Sequence, residues 1–166
     1  MKSSKQTGRT ILWAPWRKKY ILHLPSRWKK TCIFCSMVRK QKDKKNLIVK
    51  RTQYSFAVLN LYPYNNGHLL IIPKRHVANF EKLKDAELLD LMRLQNEMLA
   101  HLKKKLKPHG FNLGVNLGAT GGAGVTGHVH IHLVPRWTGD TNFMPVIGKT
   151  KVISESLVSL YERLTR

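Results

Sequence analysis

Three histidines alternate with aliphatic residues in the segment His128-Val-His-Ile-His-Leu-Val134. Successive side chains of a β-strand point to opposite faces, so a strand here places His128, His130 and His132 on one face and the aliphatic residues against a core. A glycine-rich run at residues 118–127 comes directly before them. An adventitious metal-binding histidine tract would not need the aliphatic alternation. The pattern therefore indicates a functional site.

The length of the chain limits it to one domain. Its 166 residues can bury a proper core but are too few for two comfortable domains. No run of about 18 apolar residues is present, so the sequence predicts no membrane span. Residues 1–10 are polar and basic and lack the apolar centre of a signal peptide, so we expect a cytoplasmic location.

Positive charge is concentrated near the N-terminus. The chain carries 30 Lys and Arg against 9 Asp and Glu, a net charge of +21, and residues 1–53 hold 16 of the basic side chains but only one acid, Asp43. A field of this sign attracts polyanions such as nucleotides, RNA, DNA or anionic lipid. The other interpretation is an ordinary solvated Lys-rich surface.

The sequence divides into a basic N-terminal arm, residues 1–30, and a domain, residues 31–166. Within the arm, Trp13, Trp16 and Trp28 alternate with basic residues. These rings could stack on nucleic-acid bases, or they could anchor the arm onto the domain. Nucleic acid is therefore a candidate partner through the arm.

The two cysteines lie together as Cys32-Ile-Phe-Cys35. In a cytosolic chain this spacing is typical of a metal knuckle or a redox pair and not of a disulfide framework. One such pair supplies half of a tetrahedral zinc site, and histidines are the obvious source of the other ligands. The alternative is two reduced cysteines near the core.

Hydrophobic periodicity and turn residues predict an α+β fold with an antiparallel sheet. The expected elements are strands Tyr54–Leu59 and His68–Pro73 joined as a hairpin, a helix Asp85–Lys107, a strand Phe111–Leu117, and a helix Ser154–Leu164 capped by Ser154. The Lys-rich segment 39–45 is expected to be a loop that leads into a short strand. His76 is expected in the turn after the second strand.

The chemistry of these parts points to phosphate. Backbone N–H groups of a glycine-rich loop can approach phosphate oxygens closely, and imidazole is nucleophilic at neutral pH. The sequence contains neither a Walker lysine motif nor an acidic cluster for magnesium. The residues therefore favour covalent catalysis by a histidine on a phosphate ester.

The segment 128–134 resembles the signature of the histidine-triad (HIT) nucleotide hydrolases and transferases, in which three histidines alternate with apolar residues. The resemblance covers about residues 11–164 and looks closest to the bacterial branch of diadenosine tetraphosphate phosphorylases. Its supporting segments are Leu12-Trp-Ala-Pro-Trp-Arg17, Cys32-Ile-Phe-Cys35, Leu59-Asn-Leu-Tyr-Pro-Tyr-Asn-Asn-Gly-His68, Pro108-His-Gly-Phe-Asn112 and Pro135-Arg-Trp-Thr-Gly-Asp-Thr-Asn-Phe143. The resemblance implies a five-stranded antiparallel sheet with helices, usually paired as a homodimer.

The resemblance also assigns roles to residues. It implies that His130 attacks the α-phosphate to form a nucleotidyl-histidine intermediate, that His128 and His132 orient it and contact phosphate, and that His68 is an additional active-site histidine. The nucleotide-binding positions that it implies are Asn60, Leu61, Asn116, Gly124, Val125 and Thr126. The stretch before His128 lacks the loop glutamine of the diadenosine triphosphate hydrolases and is spaced differently.

In zinc-bearing relatives of this family the cysteine pair is completed by two histidines. The matching positions here are Cys32, Cys35, His76 and His128, so the resemblance implies a structural zinc ion. A zinc-bound His128 would be mainly structural, and that role competes with its role in the triad.

The acceptor of the second half-reaction could be water, phosphate or a sugar phosphate. Transferases of the galactose-1-phosphate type carry glutamine where this chain has His132, which disfavours a sugar phosphate. The predicted function is cleavage of a dinucleoside polyphosphate such as diadenosine tetraphosphate by hydrolysis or phosphorolysis. The alternatives are a hydrolase of nucleoside phosphoramidates or adenylated nucleic-acid ends, and a non-enzymatic basic nucleic-acid-binding protein.

Overall fold

A computed structural model describes residues 32–148 and 150–166. The predicted basic arm, residues 1–30, lies outside the described residues, as do Trp13, Trp16 and Trp28 within it. None of the helices in the described part of the chain combines the length and the apolar character needed to cross a membrane.

The core of the fold is an antiparallel five-stranded sheet, which confirms the predicted α+β class. Its strands lie in the order β1-β2-β3-β5-β4. They are β1 (Ile48–Arg51), β2 (Ser55–Leu59), β3 (Leu69–Pro73), β4 (Gly110–Val115) and β5 (Ile131–Arg136). Strands β2 and β3 form the predicted hairpin and are buried along their whole length, because both faces of the sheet are covered there.

The helices are α1 (Ile33–Lys40), α2 (Asp43–Asn46), α3 (Asp85–Leu106), α4 (Met144–Ile147) and α5 (Leu157–Thr165), with a 3₁₀ turn at Phe80–Lys82. The prediction that segment 39–45 is a loop was wrong, since α1 and α2 occupy most of it. Buried Phe34 fixes α1 to the sheet, and basic residues in the last turn of each helix favour its C-terminal dipole.

Helix α3 covers one face of the sheet. Its buried residues Leu91, Leu94, Met98 and Leu102 recur at intervals of three and four, as an amphipathic helix requires. The long helix ends one residue before the predicted Lys107, which adopts a left-handed conformation with φ 48°. The expected helix over residues 85–107 is therefore confirmed in place and length.

Helix α5 packs on α3 through Leu160 and Leu164, but it begins later than predicted. The N-cap is Ser156, whose hydroxyl accepts a hydrogen bond from the Ser159 N–H at 3.2 Å, so the assignment of Ser154 as the cap was wrong. Glu155, just before the cap, forms an ion pair with Arg163 at 2.9 Å.

The opposite face of the sheet carries the histidine segment, and here the expected strand over residues 128–134 needs correction. Strand β5 begins only at Ile131, so His132 lies in the strand while His128 and His130 precede it. The reason is that β4 ends at Val115 opposite Ile131, and the Val129 N–H donates instead to the carbonyl of Val77 at 2.7 Å. Strand β4 likewise ends before the predicted Leu117.

Candidate functional site

Four buried histidines form a continuous group on the face of the sheet opposite α3. They are His68, His128, His130 and His132, with relative exposures of 1%, 0%, 4% and 9%, and are called the histidine row below. His68 comes directly before β3, and the pairing of Leu70 with His132 brings β3 and β5 side by side. The sheet therefore brings His68 to the predicted triad from about sixty residues away in the sequence.

His130 occupies the middle of the row and has one nitrogen available for chemistry. Its Nδ1–H donates to the carbonyl of His128 at 2.9 Å, which leaves Nε2 without a proton. Burial lowers the pKa of His130, so the ring is neutral at pH 7. The edge of Phe34 packs on the ring at 5.3 Å between centroids. A neutral, fixed imidazole with a bare Nε2 is suited to nucleophilic attack.

At one end of the row, a chain of hydrogen bonds assigns the tautomers of two rings. The Tyr64 N–H donates to Nδ1 of His68 at 3.1 Å, so the proton of neutral His68 is on Nε2. That Nε2–H donates to Nδ1 of His132 at 2.9 Å. The Nε2 of neutral His132 therefore carries its proton, and it has no partner among the described residues although it is buried.

His132 also lines a shallow cavity on this side of the sheet. The lining residues are Tyr64, Asn112, Leu113, Gly114, Asn116, His132 and Val134. The Tyr64 ring stacks on His132 at 5.6 Å with an interplanar angle of 12°. A buried donor without a partner costs stability unless a ligand or water accepts its hydrogen bond. His132 is thus placed to donate to an oxygen atom of a ligand.

Electrostatics keep this end of the row uncharged. Burial, together with the neighbouring imidazoles, lowers the pKa of His68 to about 3 and that of His132 to about 4. Both values lie below the ordinary value of about 6.5 for histidine. The hydrogen-bond chain through neutral rings is therefore consistent with the pKa directions.

At the other end of the row, His128 belongs to a group of four possible metal ligands. The ligand atoms of Cys32, Cys35, His76 and His128 all lie within 4.8 Å of one another. Nδ1 of His128 is 3.4 Å from Sγ of Cys32 and 3.7 Å from Sγ of Cys35. Nδ1 of His76 is 3.3 Å from Sγ of Cys35.

These distances fit a tetrahedral zinc ion. Zn–S and Zn–N bonds of about 2.3 and 2.1 Å give a sulfur–nitrogen edge of about 3.6 Å. The Nε2–H of His128 donates to the carbonyl of Pro73 at 2.8 Å, so Nδ1 faces the thiols with a free electron pair. Such a hydrogen bond on the far nitrogen is how metal-binding histidines are commonly oriented. The cluster could therefore hold a metal ion.

The predicted nucleotide-binding residues are placed around this face with different surroundings. Asn60 accepts from the Tyr62 N–H through Oδ1 at 3.0 Å, and this turns its Nδ2 toward Nδ1 of His68 at 3.3 Å. Leu61 is 55% exposed. The remaining positions are Asn116 beside the cavity, exposed Gly124 and Thr126, and half-buried Val125 against the Phe34 cluster.

Sequence reasoning missed the residues that fix the loop between β2 and β3. Asn65 donates to Oδ2 of Asp140 at 2.7 Å, and Arg136 forms a bidentate ion pair with the same carboxylate. Tyr64 covers His68 and His132. The only signal in the sequence is that Asn65, Arg136 and Asp140 fall within segments that support the family resemblance.

Comparison with known proteins gives a match to the HIT domain family over residues 41–139. The matched span contains the whole histidine row together with His76. Cys32 and Cys35 lie before it.

Individual relatives agree with this match. The chain is 39% identical to a protein of Mycobacterium tuberculosis named AP-4-A phosphorylase over 151 residues, which are 88% of this chain and 77% of the relative. It is 32% identical to adenosine 5'-monophosphoramidase of Saccharomyces cerevisiae over 76% of this chain and 75% of the relative.

A solved structure has a similar fold. A zinc-bound histidine triad family protein from Mycobacterium smegmatis aligns with a TM-score of 0.66 over 81% of this chain and 91% of that one. At 20% identity the likeness concerns the fold alone.

Proposed function

Because the chain belongs to the HIT domain family, we propose that it cleaves nucleoside polyphosphates through a nucleotidyl-histidine intermediate. The observation that carries the proposal is the geometry of His130. Its Nδ1–H is fixed on the carbonyl of His128 at 2.9 Å, so a bare Nε2 remains on a buried, neutral ring. Relatives named as a phosphorylase and a phosphoramidase support an enzyme.

In the proposed first step, Nε2 of His130 attacks the α-phosphorus and the bond from phosphorus to the leaving oxygen breaks. The leaving group departs with that electron pair. The positive charge that forms on the His130 ring is stabilised because Nδ1–H already donates to the His128 carbonyl. The Nε2–H of His132 is the buried donor available to an oxygen of the phosphate or of the leaving group.

In the second step an acceptor oxygen attacks the same phosphorus, and the bond to Nε2 of His130 breaks. The proton released by the acceptor goes to the leaving group or to solvent. His68 supports both steps by holding Nδ1 of His132 at 2.9 Å, and we assign it as a member of the catalytic group. In this proposal His128 acts through its backbone carbonyl.

The nucleotide contacts of the proposal are those that the sequence predicts. Asn60 and Leu61 would hold the ribose and the base at the mouth of the β2–β3 loop. Asn116 and the segment Gly124–Thr126 would contact phosphates through side-chain amide and backbone N–H groups. Asn116 can reach phosphate readily, since its Nδ2 holds only a long contact of 3.5 Å to Gly122.

We also propose a structural zinc ion bound by Cys32, Cys35, His76 and His128. The support is the two-thiol, two-imidazole donor set and the sulfur–nitrogen distances of 3.3 to 3.7 Å. A bound zinc ion would cross-link helix α1 to the loop after β3 and to the histidine row. The four residues would thereby hold the backbone of His128, whose carbonyl orients His130.

A dinucleoside polyphosphate such as diadenosine tetraphosphate, with phosphate as the acceptor, is the substrate pair we favour, on the name of the 39% identical relative. The test is product analysis on diadenosine tetraphosphate with and without inorganic phosphate. ADP plus ATP formed only when phosphate is present is the expected result. AMP plus ATP without phosphate would mean a hydrolase instead. Absence of cleavage under both conditions would overturn this substrate.

A nucleoside phosphoramidate is the second candidate substrate, favoured by the 32% identity to a monophosphoramidase. Nε2 of His130 would attack the phosphorus and the P–N bond would break. The amine would leave with that electron pair and take a proton from Nε2–H of His132 or from solvent, whereas a dinucleoside polyphosphate releases a nucleoside polyphosphate. Parallel assays on adenosine 5'-phosphoramidate and diadenosine tetraphosphate compare kcat/KM directly. Faster turnover of the phosphoramidate would move the assignment to it.

Two partners complete the proposal. Strand β4 is an edge strand, and Leu113 on it is 48% exposed, which supports the expected homodimer through this edge. Binding of nucleic acid would depend on the arm at residues 1–30 and would weaken steeply with salt. Sedimentation of the full chain tests the dimer. RNA titrations at two salt concentrations, with and without residues 1–30, test the arm.

A further inference from the structure

The carboxylate of Asp140 collects four hydrogen bonds although it is outside the histidine row. Arg136 donates through Nε at 2.6 Å and through Nη2 at 2.7 Å. Asn65 donates through Nδ2 at 2.7 Å, and the Trp137 N–H donates at 3.0 Å. The Asp140 side chain is 8% exposed, and these donors hold its pKa well below the usual range.

Through Asn65, this carboxylate holds the loop between β2 and β3 against the end of β5. Asn65 is 8% exposed, and its Nδ2 also donates to the carbonyl of Pro135 at 3.0 Å. The loop lies close to that strand, since a Cβ added at Gly67 would be 3.0 Å from the Pro135 ring and 2.5 Å from Leu106. Asp140 and Asn65 therefore connect two segments about seventy-five residues apart.

The residue next to Asn65 sets the tautomer of the active-site histidines. The N–H of Tyr64 donates to Nδ1 of His68, and this directs the Nε2–H of His68 to His132. The Asn65 carbonyl accepts a hydrogen bond from the His68 N–H at 3.3 Å. The loop therefore contacts both the backbone and the side chain of His68. The Tyr64 N–H is the nearer of two loop donors to Nδ1 of His68, since Nδ2 of Asn60 lies 3.3 Å from the same nitrogen. A shift of the loop would therefore weaken the contacts that keep Nδ1 of His68 free of a proton.

We propose that Asp140 is a positioning residue that, through Asn65 and the Tyr64 N–H, fixes the tautomers of His68 and His132. A purely structural ion pair would need only Arg136. Surface pairs of this kind contribute little to stability, and Arg136 is itself 42% exposed. The hydrogen bond from buried Asn65 is what connects the Asp140 carboxylate to the loop that carries Tyr64. The consequence for catalysis rests on the proposed function, whereas the tautomer assignment does not.

The test compares full-length variants by nitrogen NMR of the imidazole rings and by steady-state kinetics. In the unaltered protein, His68 is expected to carry its proton on Nε2. In Asp140→Ala and in Asn65→Ala, His68 becomes a mixture of tautomers and kcat falls by about tenfold or more. In Asp140→Asn, which keeps an acceptor for Asn65, the Nε2–H form is largely retained.

Asp43→Ala is the matched control, because Arg51 contacts both carboxylate oxygens of Asp43 beside β1 at the other edge of the sheet. It should leave the His68 signals unchanged. Unchanged His68 tautomers in both Asp140→Ala and Asn65→Ala would overturn the proposal, as would a change in Asp140→Ala that is absent from Asn65→Ala. If the unaltered protein cleaves no nucleotide, the proposed function fails while the NMR comparison still decides the role of Asp140.

Discussion

At one end of the histidine row His128 turns Nδ1 toward two thiols, whereas at the other end His132 turns Nδ1 toward a second imidazole. Both rings are buried, and burial lowers the pKa of each to about 4. They differ in the group on the far nitrogen. Nε2 of His128 donates to the Pro73 carbonyl, but Nε2 of His132 has no partner among the described residues.

The backbone accounts for this difference. At the end beside Cys32 and Cys35 (the metal-ligand end), the carbonyl of Pro73 accepts a hydrogen bond from Nε2–H of His128, so the electron pair on Nδ1 is left for the thiols. At the other end, beside the cavity that His132 lines (the cavity end), the Tyr64 N–H donates to Nδ1 of His68 and Nε2–H of His68 donates to Nδ1 of His132. The proton of His132 is therefore on its buried Nε2. Two histidines of the same short segment therefore differ in role: His128 offers an electron pair, and His132 offers an N–H donor.

The largest expected effect comes from His130, which lies between the two ends. His130→Ala should lower kcat at least about a thousandfold, because no other ring in the row offers a bare Nε2 fixed by a backbone carbonyl. Nucleotide binding, measured by calorimetry with a nonhydrolysable analogue, should be largely kept. Unchanged turnover would show that His130 is not the nucleophile.

The cavity end should show the next largest effect. His132→Asn should lower kcat by about a hundredfold, since the buried N–H without a protein partner is lost from its position. Zinc content should not change. His101→Asn is the matched control, because His101 bonds the Leu164 carbonyl at 2.7 Å outside the row. Equal losses of activity in both variants would mean that His132 acts only through stability.

The metal-ligand end should govern stability more than chemistry. Replacing both Cys32 and Cys35 by Ser should reduce bound zinc from about one per chain to near zero. The melting temperature should then fall by roughly 10 °C, because binding to the folded state is lost. Elemental analysis and thermal unfolding with and without a chelator measure this. Carefully purified protein without zinc would contradict the metal assignment.

The last expected effect concerns stability alone, and it is a dependence on pH to which the cavity end contributes. The folded pKa values of His68 and His132, about 3 and about 4, lie below the unfolded value of about 6.5. Between pH about 4 and 6.5 the unfolded chain binds more protons than the folded one, so stability rises with pH and is constant above about 7. Melting temperatures from pH 4 to 8 measure it.

A variant sharpens this pH prediction. His68→Asn removes one of the buried rings whose pKa is lowered, so the slope of melting temperature against pH should decrease between pH 4 and 6.5. Protonation of Asp140 would lower the stability only at a more acidic pH, because the pKa of its carboxyl is held below the ordinary value. A melting temperature that is flat from pH 7 to 5 in the unaltered protein would show that these rings do not stay neutral.

Local patterns were sufficient for much of the fold. The period of α3, the hairpin of β2 and β3 and the antiparallel sheet follow from residue spacing and turn chemistry, and the structure confirms them. Helix α1 and the cap of α5 were not predicted correctly. Those segments make contacts that are distant in sequence, of Phe34 with the histidines and of Glu155 with Asn66.

The sequence by itself determined that three imidazoles would be close together, because alternation with aliphatic residues fixes their spacing in any extended segment. It also supplied, through the family resemblance, the four residues whose ligand atoms lie within 4.8 Å. Only the tertiary structure decided which nitrogen of each ring carries a proton. That choice belongs to Pro73, Tyr64 and His128, since a neutral imidazole has one donor and one acceptor and takes its tautomer from the backbone groups that folding places beside it.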